Sequence, residues 1–275
     1  MQNFNIGFIG GGNMARSLIG GLIANGFERD KISVTEPDEE KRARLAADFG
    51  IHTLDSNQQI AATADVLLLA VKPQAMKQVA EDIVSAVQQN HPLIISIAAG
   101  IRESDINRWL GGNCAIVRAM PNTPALVECS ATALYANSRV HEQQREQAES
   151  VLRAVGLALW LDREEQMDAV TALSGSGPAY FLLIMEIMEQ TAVTLGLDDK
   201  TARLLTLQTA FGTAKMALES NEDAATLRRR VTSPGGTTEQ AIKVLEDGGL
   251  WELFHQALTA ARTRSEELAK QLGEK

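Results

Sequence analysis

The chain has 275 residues, of which 45% are hydrophobic, and a formal net charge of −9. This length suits two domains, because single hydrophobic cores seldom grow past a few hundred residues. The negative charge argues against a nucleic-acid partner, which would have to be attracted through its phosphates, and two cysteines are too few for a disulfide framework.

The sequence also argues against export, a membrane and a metal centre. Met1 to Asn5 lead directly into a strand without the basic start or the cleavage site of a signal peptide. The most apolar run, Ala179 to Met188, is interrupted by Glu186 and is too short to span a bilayer. The four histidines are scattered, without the close spacing of metal ligands. We therefore expect a cytoplasmic protein without a metal.

Residues 5 to 161 alternate short β-rich runs with amphipathic stretches, which is the pattern of βαβ units around a parallel sheet. The predicted strands are Asn5–Gly10, Ile32–Glu36, Val66–Val71, Leu93–Ile97, Ala115–Arg118, Ala131–Tyr135 and Leu157–Leu161. Residues 1–162 are therefore predicted to be an α/β domain with a doubly wound, mostly parallel sheet. Such sheets bind ligands at the carboxyl ends of their strands.

After Asp162 the strand pattern stops, and helices separated by Gly and Pro are predicted at about 178–195, 199–219, 222–230, 237–246 and 249–272. Residues 163–275 should form an all-α domain. Its first two helices are apolar around much of their circumference, as in FLLIM and LLTLQTAF. Because a helix that is apolar on most faces must be buried on most faces, we infer a dimer interface in this domain.

The first predicted strand ends in a glycine motif, GFIGGGNMA, which matches G-x-G-x-x-A at Gly10, Gly12 and Ala15. Gly10 permits a tight turn, Gly12 lets the backbone approach a pyrophosphate, and Ala15 lets the next helix lie close to the strand. We expect Gly10, Gly12, Asn13 and Met14 to contact a dinucleotide in a Rossmann-type domain. An ordinary glycine-rich turn is the alternative, which the strand before the motif and the helix after it disfavour.

An acidic residue, Glu36, ends the second predicted strand about 21 residues beyond Ala15. A carboxylate at this position accepts hydrogen bonds from the adenosine ribose and repels a 2′-phosphate, which favours NADH. The basic residues Lys41, Arg42 and Arg44 follow closely and could accommodate NADPH instead. The alternative for Glu36 is an exposed turn residue without a role in specificity.

Four further segments are AVKP at 70–73, RAMPNTPA at 118–125, SGSGPAY at 174–180 and VTSPGGTTEQA at 231–241. Together with GFIGGGNMA they resemble the pyrroline-5-carboxylate reductase family along nearly the whole chain. AVKP or the glycine motif alone would also fit β-hydroxyacid dehydrogenases. The resemblance implies NAD(P)H-dependent reduction of 1-pyrroline-5-carboxylate to L-proline, the last step of proline biosynthesis.

The resemblance also implies roles for individual residues. Asn57, Val71, Lys72 and Pro73 would line the cofactor groove, and Met120, Pro121 and Asn122 would border the nicotinamide. The family's substrate loop maps onto Ser233, Pro234, Gly235, Gly236, Thr237 and Thr238. In the family this loop belongs to an active site completed across a homodimer, and rings of dimers are compatible with it. Glu36-Pro37 departs from the neutral or basic residue of many relatives, which puts the usual NADPH preference in doubt.

The substrate-loop residues support the same interpretation on physical grounds. Thr237 followed by Gln240 is a capping box, which predicts a helix from Thr238 whose free N–H groups suit a substrate carboxylate. We assign the Thr238 hydroxyl to the ring nitrogen of the substrate and treat Thr238 as the catalytic residue. Ser176 would cap the helix that Pro178 opens and would also face the substrate. The alternative is that both loops are ordinary helix caps.

Imine reduction does not require a strong catalytic acid, and the implicated loops contain no His and no paired carboxylates. Two other functions stay open at this point. A β-hydroxyacid dehydrogenase would need a catalytic lysine in the helical domain, where Lys215 is the candidate, although a surface charge is the simpler interpretation of it. A nucleotide-binding protein without turnover would bind NAD(P)H and oxidise none of it.

Overall fold

The computed structural model describes residues 4–273. The start of the chain, on which part of the expectation about export rests, lies outside this range. The chain forms two compact units, one made of residues up to Ser176 together with those from Ala260 onward, and one made of Gly177–Thr259. The predicted domain boundary at residue 162 stays a prediction.

The first unit is built on one eight-stranded sheet with the order β3-β2-β1-β4-β5-β6-β7-β8. The strands are β1 (Ile6–Ile9), β2 (Ile32–Thr35), β3 (His52–Leu54), β4 (Val66–Leu69), β5 (Leu93–Ser96), β6 (Ile116–Met120), β7 (Ser130–Ala136) and β8 (Gly156–Trp160). All neighbours pair in parallel except β6 and β7. The predicted doubly wound, mostly parallel sheet is confirmed.

Two strands differ from the sequence-based expectation. The edge strand β3 was not predicted, because its three residues are exposed or half-buried and carry no apolar run. Strand β7 runs antiparallel to β6 because residues 121–129 between them form only a short turn, Thr123–Val127, whereas a parallel neighbour needs a crossover of about a dozen residues or more.

Helices cover both faces of the sheet, as they must where strands such as β1, β4 and β5 are buried throughout. These helices are α1 (Asn13–Ala24), α2 (Glu39–Phe49), α3 (Asn57–Thr63), α4 (Met76–Asp82), α5 (Val84–Asn90), α6 (Glu103–Trp109) and α7 (Glu142–Arg153). The side chains of successive strand residues alternate between two apolar clusters, as Phe8 and Ile9 do. The sheet thus holds its carboxyl edge, where the glycine motif lies, in a rigid frame.

The remaining helices are α8 (Gln166–Val170), α9 (Gly177–Thr194), α10 (Asp199–Glu219), α11 (Ala224–Arg230), α12 (Thr237–Asp247) and α13 (Leu250–Gly273). The five that were predicted begin and end within two residues of the expected positions. Helix α8 was not predicted, and a π turn at Thr171–Gly175 follows it.

Helices α8 and α9 and the π turn form one continuous helix from Gln166 to Thr194. By length and composition alone, this 29-residue helix could cross a membrane. The apolar run from Ala179 to Met188 is therefore only part of a helix that extends well beyond it. Most of its apolar side chains are exposed in the single chain, Phe181 and Leu182 among them.

Candidate active site

The glycine motif forms an open loop between β1 and α1. Gly10 has a φ of 100°, and a Cβ there would lie 2.7 Å from the carbonyl oxygen of Ala70. A Cβ at Gly12 would have nothing within 4 Å, so the space beside the loop is open. Helix α1 starts after Gly12 with no side-chain cap and no acidic residue in its first turn. Its first N–H groups thus remain available to an anion, which fits the pyrophosphate of a dinucleotide.

Glu36 is buried, so the alternative of an exposed turn residue is wrong. Its Oε2 accepts a hydrogen bond from the Gly11 amide (3.1 Å), and its Oε1 accepts one from the Asp38 amide (3.2 Å). Gly11 must itself lack a side chain, because a Cβ there would lie 3.2 Å from this carboxylate and 2.5 Å from Leu45 Cδ1. The carboxylate is therefore held against the glycine loop by two backbone donors.

The nearby basic residues are engaged elsewhere. Arg42 donates to the carbonyl oxygen of Glu36 at 2.7 Å, whereas Lys41 pairs with Asp38 at 3.6 Å and Arg44 with Glu40 at 3.6 Å. The last two pairs are exposed and therefore weak. The Glu36 carboxylate, by contrast, is hydrogen-bonded to the glycine loop at Gly11.

Asn57 and the AVKP segment lie near the same carboxyl edge of the sheet. Asn57 is the first residue of α3, and its Oδ1 accepts a hydrogen bond from Thr35 Oγ1, at the end of β2, at 2.7 Å. After β4, Val71 is half-buried, Lys72 is exposed, and Pro73 opens a short 3₁₀ turn. The structure thus brings these residues to the edge that carries the glycine loop and Glu36.

Met120, Pro121 and Asn122 close this edge at the end of β6. The Asn122 side chain is buried and makes hydrogen bonds to the protein through both its oxygen and its nitrogen. Its Oδ1 accepts from the Ala131 amide (3.0 Å) and Ser130 Oγ (3.2 Å), and its Nδ2 donates to the Ser174 carbonyl (3.0 Å). Nothing in the sequence marked Asn122 as bonded to residue 174. One of the two N–H donors of this side chain is thus engaged by Ser174.

Ser176 does not cap a helix, so that prediction is wrong. It lies in helical conformation inside the continuous helix, and its N–H donates to the Thr171 carbonyl oxygen at 2.8 Å, five residues back. The π turn accommodates Pro178 without ending the helix, which is why no cap is needed. A role for Ser176 in substrate binding stays a prediction.

The capping box at Thr237 and Gln240 is also wrong. Helix α12 begins at Thr237 itself, with Gly236 as the N-cap and no side-chain cap. Instead, Glu239 Oε2 accepts a hydrogen bond from the Gly235 amide at 2.8 Å, and Gly235 has a φ of 70°. Ser233, Thr237 and Thr238 are exposed in the single chain. The loop belongs to the second unit, whereas the predicted cofactor residues belong to the first.

A buried polar network in the first unit was not predicted. Asp168 is 3% exposed, pairs with Arg102 at 2.8 Å and accepts from Ser265 Oγ on α13 at 2.7 Å. Arg118 on β6 pairs with Glu164 at 2.7 Å. Within residues 4–273 no group of three or more His, Cys, Asp or Glu side chains could hold a metal ion. The network is a set of structural ion pairs joining α6, α8 and α13.

The parallel strand order 3-2-1-4-5-6 and the glycine loop define a dinucleotide-binding protein of the Rossmann class. Residues 5–100 match the family model "NADP oxidoreductase coenzyme F420-dependent", and residues 164–268 match "Pyrroline-5-carboxylate reductase dimerisation". The chain is 53% identical to the Pseudomonas aeruginosa pyrroline-5-carboxylate reductase and 44% identical to that of Haemophilus influenzae, covering all of both chains in the first case and 98% of each in the second. The chain belongs to the pyrroline-5-carboxylate reductase family.

Solved structures agree with this assignment. The Coxiella burnetii pyrroline-5-carboxylate reductase superposes with a TM-score of 0.94 at 51% identity, over 98% of this chain and 99% of that one. The Plasmodium falciparum pyrroline carboxylate reductase with NADP bound superposes with a TM-score of 0.86 at 27% identity and the same coverage. The family resemblance inferred from the sequence motifs is confirmed.

Proposed function

We propose that this protein is a pyrroline-5-carboxylate reductase, which reduces 1-pyrroline-5-carboxylate to L-proline with NAD(P)H. The observation that carries the proposal is the full-length match at 53% identity to a reductase of that name. The open glycine loop and the uncapped start of α1 support it, because they fit the pyrophosphate of the cofactor.

The site residues have the following proposed roles. Gly10, Gly12, Asn13 and Met14 hold the pyrophosphate, Glu36 the ribose, and Asn57, Val71, Lys72 and Pro73 the rest of the groove. Met120, Pro121 and Asn122 border the nicotinamide. The N–H groups at Gly236 to Thr238 bind the substrate carboxylate, since α12 has no side-chain cap to compete for them. The Thr238 hydroxyl meets the ring nitrogen, and Ser176 and Ser233 lie at the substrate.

The reaction requires little of the protein beyond the alignment of the dinucleotide with the imine. Bound NAD(P)H supplies the hydride to the imine carbon, and the nitrogen arrives protonated or takes a proton from solvent. The chain's residues therefore hold the two reactants in line and keep water away. Lys215, the catalytic residue that a β-hydroxyacid dehydrogenase would need, is exposed and pairs with Glu219 one helical turn away at 3.3 Å, as a surface lysine does.

For the cofactor, we propose that NADH is used at least comparably to NADPH. The buried Glu36 carboxylate lies against the glycine loop, where it can accept from ribose hydroxyls and would repel a 2′-phosphate. The Plasmodium relative, which has NADP bound, shows that the fold also accepts the phosphorylated cofactor in that protein.

We further propose a cytoplasmic homodimer formed through residues 163–275, compatible with larger rings of dimers and with no nucleic-acid, membrane or metal partner. The match of residues 164–268 to a dimerisation family and the exposed apolar side chains of α9 and α10 support it. In this dimer, the partner subunit covers the exposed apolar side chains of the long helix.

One assay tests the activity: oxidation of NADH and of NADPH by the purified protein with pyrroline-5-carboxylate, compared with a panel of hydroxy and keto acids. We expect turnover with the imine. Turnover only with an acid of the panel would indicate a β-hydroxyacid dehydrogenase, and binding of the dinucleotide without any turnover would indicate a non-catalytic protein.

A further inference from the structure

The carbonyl group of Ser174 lacks the hydrogen-bond donor that a regular α-helix would give it. In a regular α-helix the carbonyl oxygen of Ser174 would accept from the N–H of residue 178. Residue 178 is proline, which has no N–H, although the long helix from Gln166 to Thr194 passes through this position by way of the π turn. Ser174 is half-buried, and a carbonyl shielded from water without a partner is costly, so a donor from elsewhere stabilises it.

Asn122 supplies that donor. Its Nδ2 lies 3.0 Å from the Ser174 oxygen, across 52 residues of sequence. The orientation of the Asn122 amide is determined by its oxygen. The backbone N–H of Ala131 can only donate, so the atom that it contacts must be the acceptor, Oδ1. Nδ2 must therefore face Ser174.

A second contact joins the same two segments. A Cβ at Gly175 would lie 2.6 Å from Met120 Cε, so the methionine side chain packs directly on this glycine. Two residues of the segment assigned to the nicotinamide thus touch two consecutive residues of the π turn. π turns inside α-helices are rare and occur frequently at functional sites.

We propose that Asn122 is a positioning residue, which binds the π turn through Ser174 and thereby holds Met120 and Pro121 in place for hydride transfer. The proposal rests on the proposed function, which assigns these two residues to the nicotinamide. The assignment of Asn122 to the border of the nicotinamide stays a prediction.

The matched test is Asn122→Asp, which keeps the acceptor for Ala131, replaces the donor to Ser174 by an acceptor and adds one negative charge, as the control variant also does. Asn90→Asp is the control, because Asn90 Nδ2 also donates to backbone carbonyls, of Ala61 and Ala64, but at the amino ends of β4 and β5. The readouts are the thermal midpoint, kcat, KM and the primary isotope effect with reduced dinucleotide deuterated at the transferred position.

For Asn122→Asp we expect kcat to fall about ten- to a hundredfold and the isotope effect on kcat to rise, because a misaligned hydride slows the chemical step. The control, Asn90→Asp, should lose stability but keep the wild-type kcat and isotope effect. Gly175→Ala, which displaces Met120 without touching Asn122, should change kcat and the isotope effect in the same direction. A normal kcat and isotope effect in a folded Asn122→Asp would refute the positioning role.

Pro178→Ala tests the hydrogen bond by itself, since alanine restores the N–H that Ser174 lacks. We expect the double variant with Asn122→Asp to lose less stability than the sum of the two single variants. Additive losses would overturn the assignment of Asn122 as the donor to Ser174. A wild-type protein without imine turnover would refute the proposed function. The stability of the double variant would still show whether Asn122 is the donor to Ser174.

Discussion

Thr238 is the residue to which the proposed chemistry is most sensitive. It is the second residue of α12 and is exposed in the single chain, so its hydroxyl is available to a ligand. A hydrogen bond to a charged partner contributes roughly 1.5–3 kcal/mol, so Thr238→Ala should lower kcat/KM for the imine by about one to two orders of magnitude. Steady-state kinetics and dinucleotide binding measure this, and cofactor affinity should stay unchanged.

Thr237→Ala is the control for this variant. Because Gly236 and not Thr237 is the N-cap, removing the Thr237 hydroxyl should change the thermal midpoint little, in contrast to the loss of about 1 kcal/mol that a capping threonine would give. Equal kinetic damage from the two variants would mean that the substrate contact is not on Thr238.

The second prediction for a single residue concerns Glu36 and the preference for NADH or NADPH. In the wild type, kcat/KM with NADPH should not exceed that with NADH by about a hundredfold, which corresponds to roughly 2.7 kcal/mol. Glu36→Gln removes the charge at the glycine loop and should shift the preference toward NADPH. Glu40→Gln, an exposed residue paired with Arg44, should leave the ratio unchanged. A wild type that strongly prefers NADPH would show that this carboxylate does not discriminate.

At the scale of elements, the Asp168 network ties α13 to α6 and α8. Asp168→Asn leaves Arg102 without its anion, and breaking a buried pair costs about 3–5 kcal/mol. Because Arg102 is partly exposed, we expect a smaller loss of unfolding free energy, about 1–3 kcal/mol. Ser265→Ala removes one hydrogen bond and should cost about 1 kcal/mol.

Denaturant unfolding measures these losses against Glu266→Gln, which removes an exposed charge that pairs with Arg262 on the same helix. That control should lie within about 0.5 kcal/mol of the wild type. If Asp168→Asn were equally neutral, the network would contribute nothing to the attachment of α13.

For the whole molecule, the exposed apolar surface predicts the assembly. Of the described residues, only Leu126, Val127, Leu157 and Leu159 among the exposed large hydrophobic side chains lie before Leu173. We expect a homodimer at micromolar concentration by sedimentation, and Phe211→Glu on α10 should dissociate or destabilise it. Leu126→Glu is the matched control, with the same 64% exposure as Phe211, and should leave the dimer intact. An active wild-type monomer would contradict the prediction.

The sequence by itself determined the features that depend on neighbours along the chain. Periodicity located seven of the eight strands and five helices of the second half, and the glycine motif located the loop between β1 and α1, because turn and helix propensities are local. Only the tertiary structure decided the direction of β7, the N-cap at Gly236, the contact of Glu36 with Gly11 and that of Asn122 with Ser174. The last two join residues 25 and 52 positions apart, and such partners are determined by how the elements pack against one another.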